Sequence, residues 1–198
     1  MDIINNSNYK IILGSASSRR KELLEMTGIN FEVNSIPVNE DFPQSLKDKE
    51  IAEFIVSNKT KPFIEIVEEN QIIITADTLV WFENKCWGKP KDKFDAKRML
   101  KMFAGVSHKV ITSVGFLTLN NLEILTESTD VTYKKLTDKE INYYVDNINP
   151  IDKAGSYGIQ DWIGMIGVER INGSYTSVLG LPIPQVTNQI LKIINENL

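Results

Sequence analysis

A basic turn between two predicted elements is the first place in this chain where residue types and spacing suggest chemistry. Residues 13–20 read LGSASSRR, so small residues follow a predicted strand, and Arg19 and Arg20 open a predicted helix. Small residues let backbone amides approach an anion, and the N-terminus of a helix carries partial positive charge. Arginines at this position oppose the helix dipole, which favours a nearby anion. A solvated basic turn, capped by Ser17 or Ser18, explains the segment alone equally well.

A carboxylate in an apolar strand is the second candidate. The segment Gln71–Phe82 (QIIITADTLVWF) is the strongest predicted strand, and Asp77 lies near its centre between Ile74 and Leu79. Burying a carboxylate is unfavourable unless a cationic group or a metal ion pairs with it. We therefore expect Asp77 to be paired or metal-bound. The alternative is an exposed carboxylate in a turn at a strand end.

Two loop segments could complete a binding site. Residues 87–90 (WGKP) hold Lys89 between a glycine and a proline, and residues 152–160 (DKAGSYGIQ) end on Gln160. A glutamine amide both donates and accepts hydrogen bonds, so Gln160 could pair with the edge of a nucleobase. Taken singly, each segment is also typical of an ordinary turn. We expect Lys89, like Arg20, to reach solvent.

The composition restricts the classes of function. The chain has 198 residues, of which 42% are hydrophobic and 24% charged, as in an ordinary globular domain. A net charge of -4 argues against a general nucleic-acid binder. Cys86 and His108 are the only residues of their types, which excludes an intrachain disulfide and a thiolate zinc cluster. We interpret His108 as a hydrogen-bonded structural residue and expect any metal ion to have oxygen ligands.

Neither end of the chain nor its interior suggests a membrane protein. The N-terminal residues MDIINNSNYKIILGS lack the charged and apolar regions of a secretory signal. No apolar run approaches the ~20 residues that a membrane span needs. The sequence therefore predicts a cytoplasmic protein that does not contact a membrane.

Helices and strands alternate along the chain and must bring the candidate residues together. Strands are predicted at Tyr9–Gly14, Phe31–Val38, Gln71–Phe82, Cys86–Gly88, His108–Leu119, Leu122–Leu136 and Met165–Ile171. Helices are predicted at residues 19–28, within residues 46–69, and at Asp92–Phe103, Thr137–Asn147 and Gln185–Leu198. The remaining long segments, Asn149–Trp162 and Gly173–Pro184, are predicted loops. Because two pairs of strands form hairpins, we expect an α/β fold with a mixed sheet.

Several separated segments occur in an order that is similar to a known family. They are ILGSASSRRKELL, TADTLVWFENKCWGKP, AKRMLKMFAGVSHKVITSVGF, DKAGSYGIQ and INGSYTSVLGLP. Together they resemble the Maf family of nucleotide pyrophosphatases, from about Ile11 to Pro182. The resemblance implies a single domain, residues 1–198, with two lobes around a central cleft, a mixed sheet and flanking helices. It also implies that the protein hydrolyses nucleoside triphosphates between the α- and β-phosphates, needs a divalent cation (Mg²⁺, Mn²⁺ or Co²⁺) and can form a homodimer.

The resemblance also implies roles for individual residues. Substrate-binding positions fall on Ser15, Arg19, Arg20, Lys59, Thr78 and Gln160. Catalytic positions fall on Glu40, Asp77 and Lys89, with Glu40 and Asp77 as metal ligands. Ser18 stands where many relatives have proline, and Ser18 could instead cap the helix.

The branch of the family determines the expected substrate. Arg19, Thr78 and Gln160 match the branch that acts on dTTP and UTP. The alternative within the family is the branch that acts on 7-methyl-GTP, which tends to carry tryptophan before the second loop arginine and an acidic residue in the late loop. A nucleotide-binding regulator of cell division is the alternative from another class, and the intact Glu40 and Asp77 count against it.

Overall fold

The computed structural model describes residues 1–196, whose strands form one mixed sheet. The strands are β1 Lys10–Leu13, β2 Phe31–Val33, β3 Gln71–Phe82, β4 Lys85–Trp87, β5 Ser107–Leu117, β6 Leu122–Tyr133 and β7 Val168–Asn172. The order across the sheet is β2-β1-β3-β5-β6-β7, and β4 pairs with β3. Strand β1 is parallel to β2 and β3, whereas the other pairs are antiparallel. The predicted mixed sheet is therefore confirmed.

Helices flank this sheet. They are α1 Asp2–Asn5, α2 Ser18–Glu25, α3 Lys49–Thr60, α4 Lys93–Phe103, α5 Asp138–Ile148, α6 Trp162–Gly167, α7 Tyr175–Val178 and α8 Ile183–Glu196. Single 3-10 turns occur at Lys61–Phe63, Pro150–Asp152 and Ala154–Ser156. None of the helices in residues 1–196 is long and apolar enough to cross a membrane.

The edge of β3 is open in its middle. The pairing of β1 with β3 ends at Ile74, and the pairing of β4 with the same edge begins at Val80. Strand β5 pairs with the opposite edge without interruption from Ile73 to Trp81. Residues 75–79 of β3 therefore have a strand neighbour on one side only, and we call this gap the β3 opening.

Apolar packing holds the helices on both faces of the sheet. On one face, Ile74 of β3 packs with Ile190 of α8 in one cluster, and Val80 packs with Tyr144 of α5 in another. On the other face, α3 packs against Leu79. Full burial of a large aliphatic side chain stabilises the fold by ~1.5–3 kcal/mol, so these clusters fix the helices around the opening. The division into two lobes stays a prediction.

Side-chain caps fix where two of the helices begin. In α5, the Thr137 hydroxyl accepts the Glu140 N–H at 3.3 Å, and the Glu140 carboxylate accepts the Thr137 N–H at 2.7 Å, as the sequence predicted. In α2, the Ser17 hydroxyl accepts the Arg20 N–H at 3.4 Å, so Ser17 is the cap and Ser18 is the first helical residue. Loss of such a cap costs about 1 kcal/mol.

The predicted strand Met165–Ile171 is wrong over its first half. Residues Trp162–Gly167 form α6, and the strand begins only at Val168. A Cβ on Gly164 would collide with the carbonyl oxygen of Ile159, so this glycine lets α6 pack directly on the preceding loop. The apolar pattern of residues 165–171, from which the strand was predicted, does not include this contact.

Other predicted boundaries also shift. Strand β2 ends at Val33 rather than at Val38. The predicted loop Gly173–Pro184 contains α7, whose first turn is capped by a serine side chain. Helix α8 begins at Ile183 instead of Gln185. The last two residues of the predicted C-terminal helix lie outside the described part of the chain.

Candidate active site

The candidate site surrounds the β3 opening and uses both faces of the strand. Successive side chains of a strand point to opposite faces of a sheet. Asp77, which is 8% exposed, contacts Lys59 of α3. Thr78 points the other way and contacts Arg20 of α2. The opening therefore lies between a carboxylate side (Glu40, Lys59 and Asp77) and an arginine side (Arg20 with its hydrogen-bond partners).

One lysine joins two carboxylates on the carboxylate side. Lys59 Nζ lies 2.7 Å from Asp77 Oδ1 and 2.8 Å from Glu40 Oε1. The expectation of a buried, paired Asp77 is confirmed, and the alternative of an exposed turn is wrong. Burial raises the pKa of Glu40, but the hydrogen bond and charge of Lys59 outweigh it. The charges of Lys89 and Arg20 act in the same direction, and the pKa of Glu40 lies below its ordinary value.

Close packing of α3 on the sheet brings Lys59 to the strand. A Cβ on Gly115 of β5 would lie 2.8 Å from Val56 of the helix, so the glycine permits this close approach. The hydroxyls of Thr60 and Thr75 are 2.7 Å apart and form a buried hydrogen bond between α3 and β3. Lys59 precedes Thr60 in the last turn of α3, which places its ammonium group at the opening.

Neutral oxygens hold the guanidinium group on the arginine side. Arg20 Nε donates to the Gly180 carbonyl at 2.9 Å, and its terminal nitrogens donate to the hydroxyls of Ser15 and Thr78, each at 3.3 Å. The Thr78 hydroxyl lies 3.0 Å from that of Thr112. Arg20 was expected to reach solvent, and it is half-buried, because these tertiary contacts fix its side chain at the opening.

The guanidinium group of Arg20 stays protonated although the side chain is partly buried. Burial lowers the pKa of Arg20, while the charges of Asp77 and Glu40 raise it and that of Arg19 lowers it. Arginine remains protonated in proteins because its ordinary pKa is so high. No carboxylate within the described residues forms an ion pair with Arg20, so its positive charge is available to an anionic ligand.

Three predicted site residues, Lys89, Arg19 and Gln160, make no hydrogen bond or ion pair with the described residues around the β3 opening. Lys89 is exposed, as expected, and its charge reaches Glu40. Arg19 is half-buried, and its charge acts on Asp152. Gln160 is exposed, and its side chain makes no hydrogen bond with residues 1–196. The structure therefore joins Glu40, Lys59 and Asp77 in one group of direct contacts and Ser15, Arg20 and Thr78 in another. Arg19, Lys89 and Gln160 belong to neither group.

The sequence did not predict two contributors to the arginine side. Gly180 supplies the carbonyl that accepts from Arg20 Nε. Thr112 links Thr78 to α7, because its hydroxyl donates to the Ser177 carbonyl at 2.8 Å. Gly180 belongs to the predicted loop Gly173–Pro184 and to the family segment INGSYTSVLGLP, neither of which indicates a contact with Arg20. Gly180 has a φ of 110°, a conformation that marks a position where glycine is favoured.

The donor set on the carboxylate side fits a hard divalent cation. Glu40 and Asp77 offer carboxylate oxygens, which Mg²⁺ and similar ions prefer. Both carboxylates already contact one cationic group, Lys59 Nζ, so they converge within reach of a single centre. No group of three or more histidine, cysteine, aspartate or glutamate side chains in the described chain could hold a metal ion.

The single histidine and the single cysteine have other environments. His108 is 3% exposed, its Nε2 lies 2.7 Å from the Tyr157 hydroxyl, and burial lowers its pKa to about 3. It is therefore neutral at physiological pH, as the structural interpretation requires. Burial, followed by the charge of Asp77, raises the pKa of Cys86 to about 11, so its thiol stays protonated.

The fold and the site together define the class: a mixed α/β protein whose central strand is open between paired carboxylates and an available arginine. Such a site suits a phosphorylated ligand together with a divalent cation. The family described as Maf-like protein matches residues 10–193, and this chain belongs to it.

Named relatives match nearly the whole chain. A protein of Flavobacterium psychrophilum named dTTP/UTP pyrophosphatase is 48% identical over 179 residues, which cover 90% of this chain and 92% of that protein. A protein of Christiangramia forsetii with the same name is 44% identical over 188 residues, covering 95% and 96% respectively. The solved Staphylococcus aureus Ham1 protein is similar over 79% of this chain and 90% of its own, with a TM-score of 0.48 and 10% identity.

Proposed function

We propose that this protein is a nucleoside triphosphate pyrophosphatase that hydrolyses dTTP and UTP to the monophosphate and pyrophosphate. The names of relatives that are 48% and 44% identical support this substrate class. The observation that carries the proposal is the separation of charge at the β3 opening. Carboxylates shared by Lys59 lie on one side, and an arginine without a carboxylate partner lies on the other.

The two sides suit different parts of the reaction. Water attacks the α-phosphorus, the bond from this phosphorus to the bridging oxygen breaks, and pyrophosphate leaves with the bond electrons. Asp77 orients the water and accepts its proton. Arg20 and Lys89 stabilise negative charge on the phosphates, with help from the Ser15 hydroxyl. Positioning and charge neutralisation are the main requirements of phosphoryl transfer, so a covalent nucleophile is not needed.

Glu40 and Asp77 would hold the divalent cation, for which we propose Mg²⁺, Mn²⁺ or Co²⁺. When bound, such a cation neutralises charge on the phosphates and acts as a Lewis acid. Lys59 bridges the two carboxylates and holds one oxygen of each beside the opening. Its contact with Asp77 also fixes the side chain that accepts the proton.

The base-recognition residues in this proposal are Arg19, Thr78 and Gln160. Thymine and uracil present two carbonyl acceptors and one imide donor, and the Gln160 amide can pair with one of each. Cytosine carries an amine where uracil has a carbonyl, so a site built for uracil leaves polar groups unpaired with cytosine. The side chain of Gln160 is exposed and makes no hydrogen bond within residues 1–196, which leaves it available to a base.

A screen of nucleotides tests the proposal. Purified protein is incubated with dTTP, UTP, CTP, ATP, GTP and 7-methyl-GTP in the presence of Mg²⁺, Mn²⁺ or Co²⁺, and pyrophosphate and orthophosphate are measured separately. We expect pyrophosphate from dTTP and UTP in preference to the other substrates. A preference for 7-methyl-GTP would contradict the substrate, and the absence of turnover on every triphosphate would favour a nucleotide-binding regulator.

The proposal also covers the binding partner, the cellular location and the oligomeric state of the protein. The partner is a small nucleotide, and we propose a cytoplasmic protein that forms a single domain of two lobes and assembles as a homodimer. The family resemblance supports the lobes and the dimer, and the net charge of -4 supports the exclusion of nucleic acid. Light scattering on a sizing column tests the assembly, since a monomeric mass would contradict it.

A further inference from the structure

Gln160 lies in a tight turn that connects two buried segments. The Asp161 N–H donates to the Gly158 carbonyl at 3.0 Å, which closes a four-residue turn with Ile159 and Gln160 at its centre. Ile159 is 7% exposed and packs in the apolar cluster formed by α4 and α5, whereas Gln160 is exposed. The position of the Gln160 amide therefore depends on what holds this turn.

A buried tyrosine holds both ends of the turn. The Tyr144 hydroxyl donates to Asp161 Oδ2 at 2.6 Å and accepts the Gly158 N–H at 3.2 Å. A Cβ on Gly158 would lie 2.7 Å from the Asp161 carboxylate, so the absence of a side chain allows the carboxylate to fold over the turn. The ammonium group of Lys153 lies 3.6 Å from Asp161 Oδ2 and contributes a charge to the same clamp.

The clamp is rigid and keeps its protonation state. Tyr144 is fully buried in α5, so its hydroxyl is held by the packing of its ring. Burial raises the pKa of Tyr144, and the hydrogen bond and charge of Asp161 raise it further, so the hydroxyl remains a donor. A turn held in this way fixes the direction from which Gln160 projects.

We infer that Tyr144 and Asp161 are positioning residues that hold Gln160 in one orientation and thereby set the discrimination between uracil or thymine and cytosine. This inference rests on the proposed function, in which Gln160 contacts the base. On a loosened turn, Gln160 can shift along the edge of the base, so its amide can satisfy the amine of cytosine as readily as the carbonyl of uracil. A glutamine on a fixed turn leaves unpaired groups with the wrong base.

The experiment compares two variants, each of which lacks one buried tyrosine hydroxyl. Tyr144→Phe breaks the clamp. Tyr133→Phe is the matched control, because Tyr133 is 1% exposed in the same apolar cluster, and its hydroxyl has no partner within the described residues. For each variant, kcat/KM is measured with dTTP, UTP and CTP, together with inhibition by inorganic tripolyphosphate. We expect the dTTP-to-CTP ratio to fall about 10-fold or more in Tyr144→Phe and to stay unchanged in the control. Inhibition by tripolyphosphate should be unaltered in both.

Distinct outcomes would overturn the inference or the proposed function. A folded Tyr144→Phe protein with a lower Tm and an unchanged dTTP-to-CTP ratio would show that the clamp is only structural. If Tyr144→Phe fails to fold, Asp161→Ala removes the acceptor of the Tyr144 hydroxyl from the other side, and an unchanged ratio in that variant would equally overturn the inference. Wild-type protein without turnover of dTTP or UTP would instead overturn the proposed function and the inference with it.

Discussion

Lys59 and Arg20 lie on opposite sides of β3, and their surroundings differ. Lys59 contacts the carboxylates of Glu40 and Asp77, so the carboxylate side retains a net negative formal charge. Arg20 is held by the oxygens of Gly180, Ser15 and Thr78, all of them neutral, so its positive charge is not compensated by a direct partner. The two sides therefore attract ligands of opposite charge, although each contains a basic side chain, because only Lys59 is paired with carboxylates.

The largest expected effect comes from Asp77 on the carboxylate side. Asp77→Asn keeps the size of the side chain and an oxygen for Lys59 but cannot accept a proton. We expect turnover of dTTP to fall at least ~10²-fold, as for loss of a general base, with little change in Tm. Pyrophosphate release and thermal unfolding of the same preparation measure both quantities. Near-normal turnover in the folded variant would remove Asp77 from the proposed role.

Removal of the charge on the arginine side should have the next largest effect. Arg20→Gln deletes a charged donor that contributes about 1.5–3 kcal/mol per hydrogen bond, so kcat/KM for dTTP should fall about 10- to 100-fold. Stability should also fall, because the Gly180 carbonyl loses its donor. Arg19→Gln is the comparison, since no hydrogen bond of its guanidinium group occurs within the described chain. An equal loss of stability in both variants would contradict the special position of Arg20.

Removal of the shared lysine tests the balance of charge on the carboxylate side. Lys59→Met leaves two carboxylates without their common cation, and we expect the free energy of unfolding to fall by about 2 kcal/mol at neutral pH. Chemical denaturation measures this loss. A variant as stable as the wild type would show that the ion pairs contribute nothing to the fold.

The same variant should change the pH dependence of stability. The folded-state pKa of Glu40 lies below its ordinary value of 4.5, so its ionised form stabilises the wild type above that pH. This contribution is lost as the pH falls through the lowered pKa. Lys59→Met should therefore show a smaller acid-induced loss of stability between about pH 7 and about pH 3. An unchanged acid dependence would mean that Lys59 does not control the pKa of Glu40.

The smallest effect on stability is expected at Lys89. Its side chain is exposed and forms no ion pair within residues 1–196, so Lys89→Ala should change the free energy of unfolding by no more than about 0.5 kcal/mol. Binding of the triphosphate should weaken, and the difference from wild type should shrink at high salt because exposed charges are screened. Titration of KM against ionic strength checks this. A drop in Tm like that of a core variant such as Leu100→Ala would make Lys89 structural.

Local sequence patterns were sufficient to predict the bounds of β3 and the start of α5. The strongly apolar segment Gln71–Phe82 predicted β3 with its observed bounds, and the pairing of Asp77 followed from the cost of burying its charge. The capping box at Thr137 and Glu140 likewise predicted the start of α5. In each case, residues that are close in sequence determine the structure.

Contacts between residues that are far apart in the sequence could not be predicted from local patterns. Arg20 was expected to reach solvent, but its acceptor Gly180 lies 160 residues further along the chain. The clamp of Tyr144 on the turn of Gln160 joins residues from α5 and a loop. Such contacts depend on the assembled core.

Hydrolysis of dTTP in water labelled with oxygen-18 tests the central claim most directly. Attack on the α-phosphorus by water that Asp77 activates, with the departing phosphates held by Arg20, places the label in the monophosphate. Mass spectrometry of both products should therefore find one labelled oxygen in the thymidine monophosphate and none in the pyrophosphate. Label in the pyrophosphate, or the appearance of orthophosphate as the primary product, would contradict attack on the α-phosphorus and with it the proposed reaction.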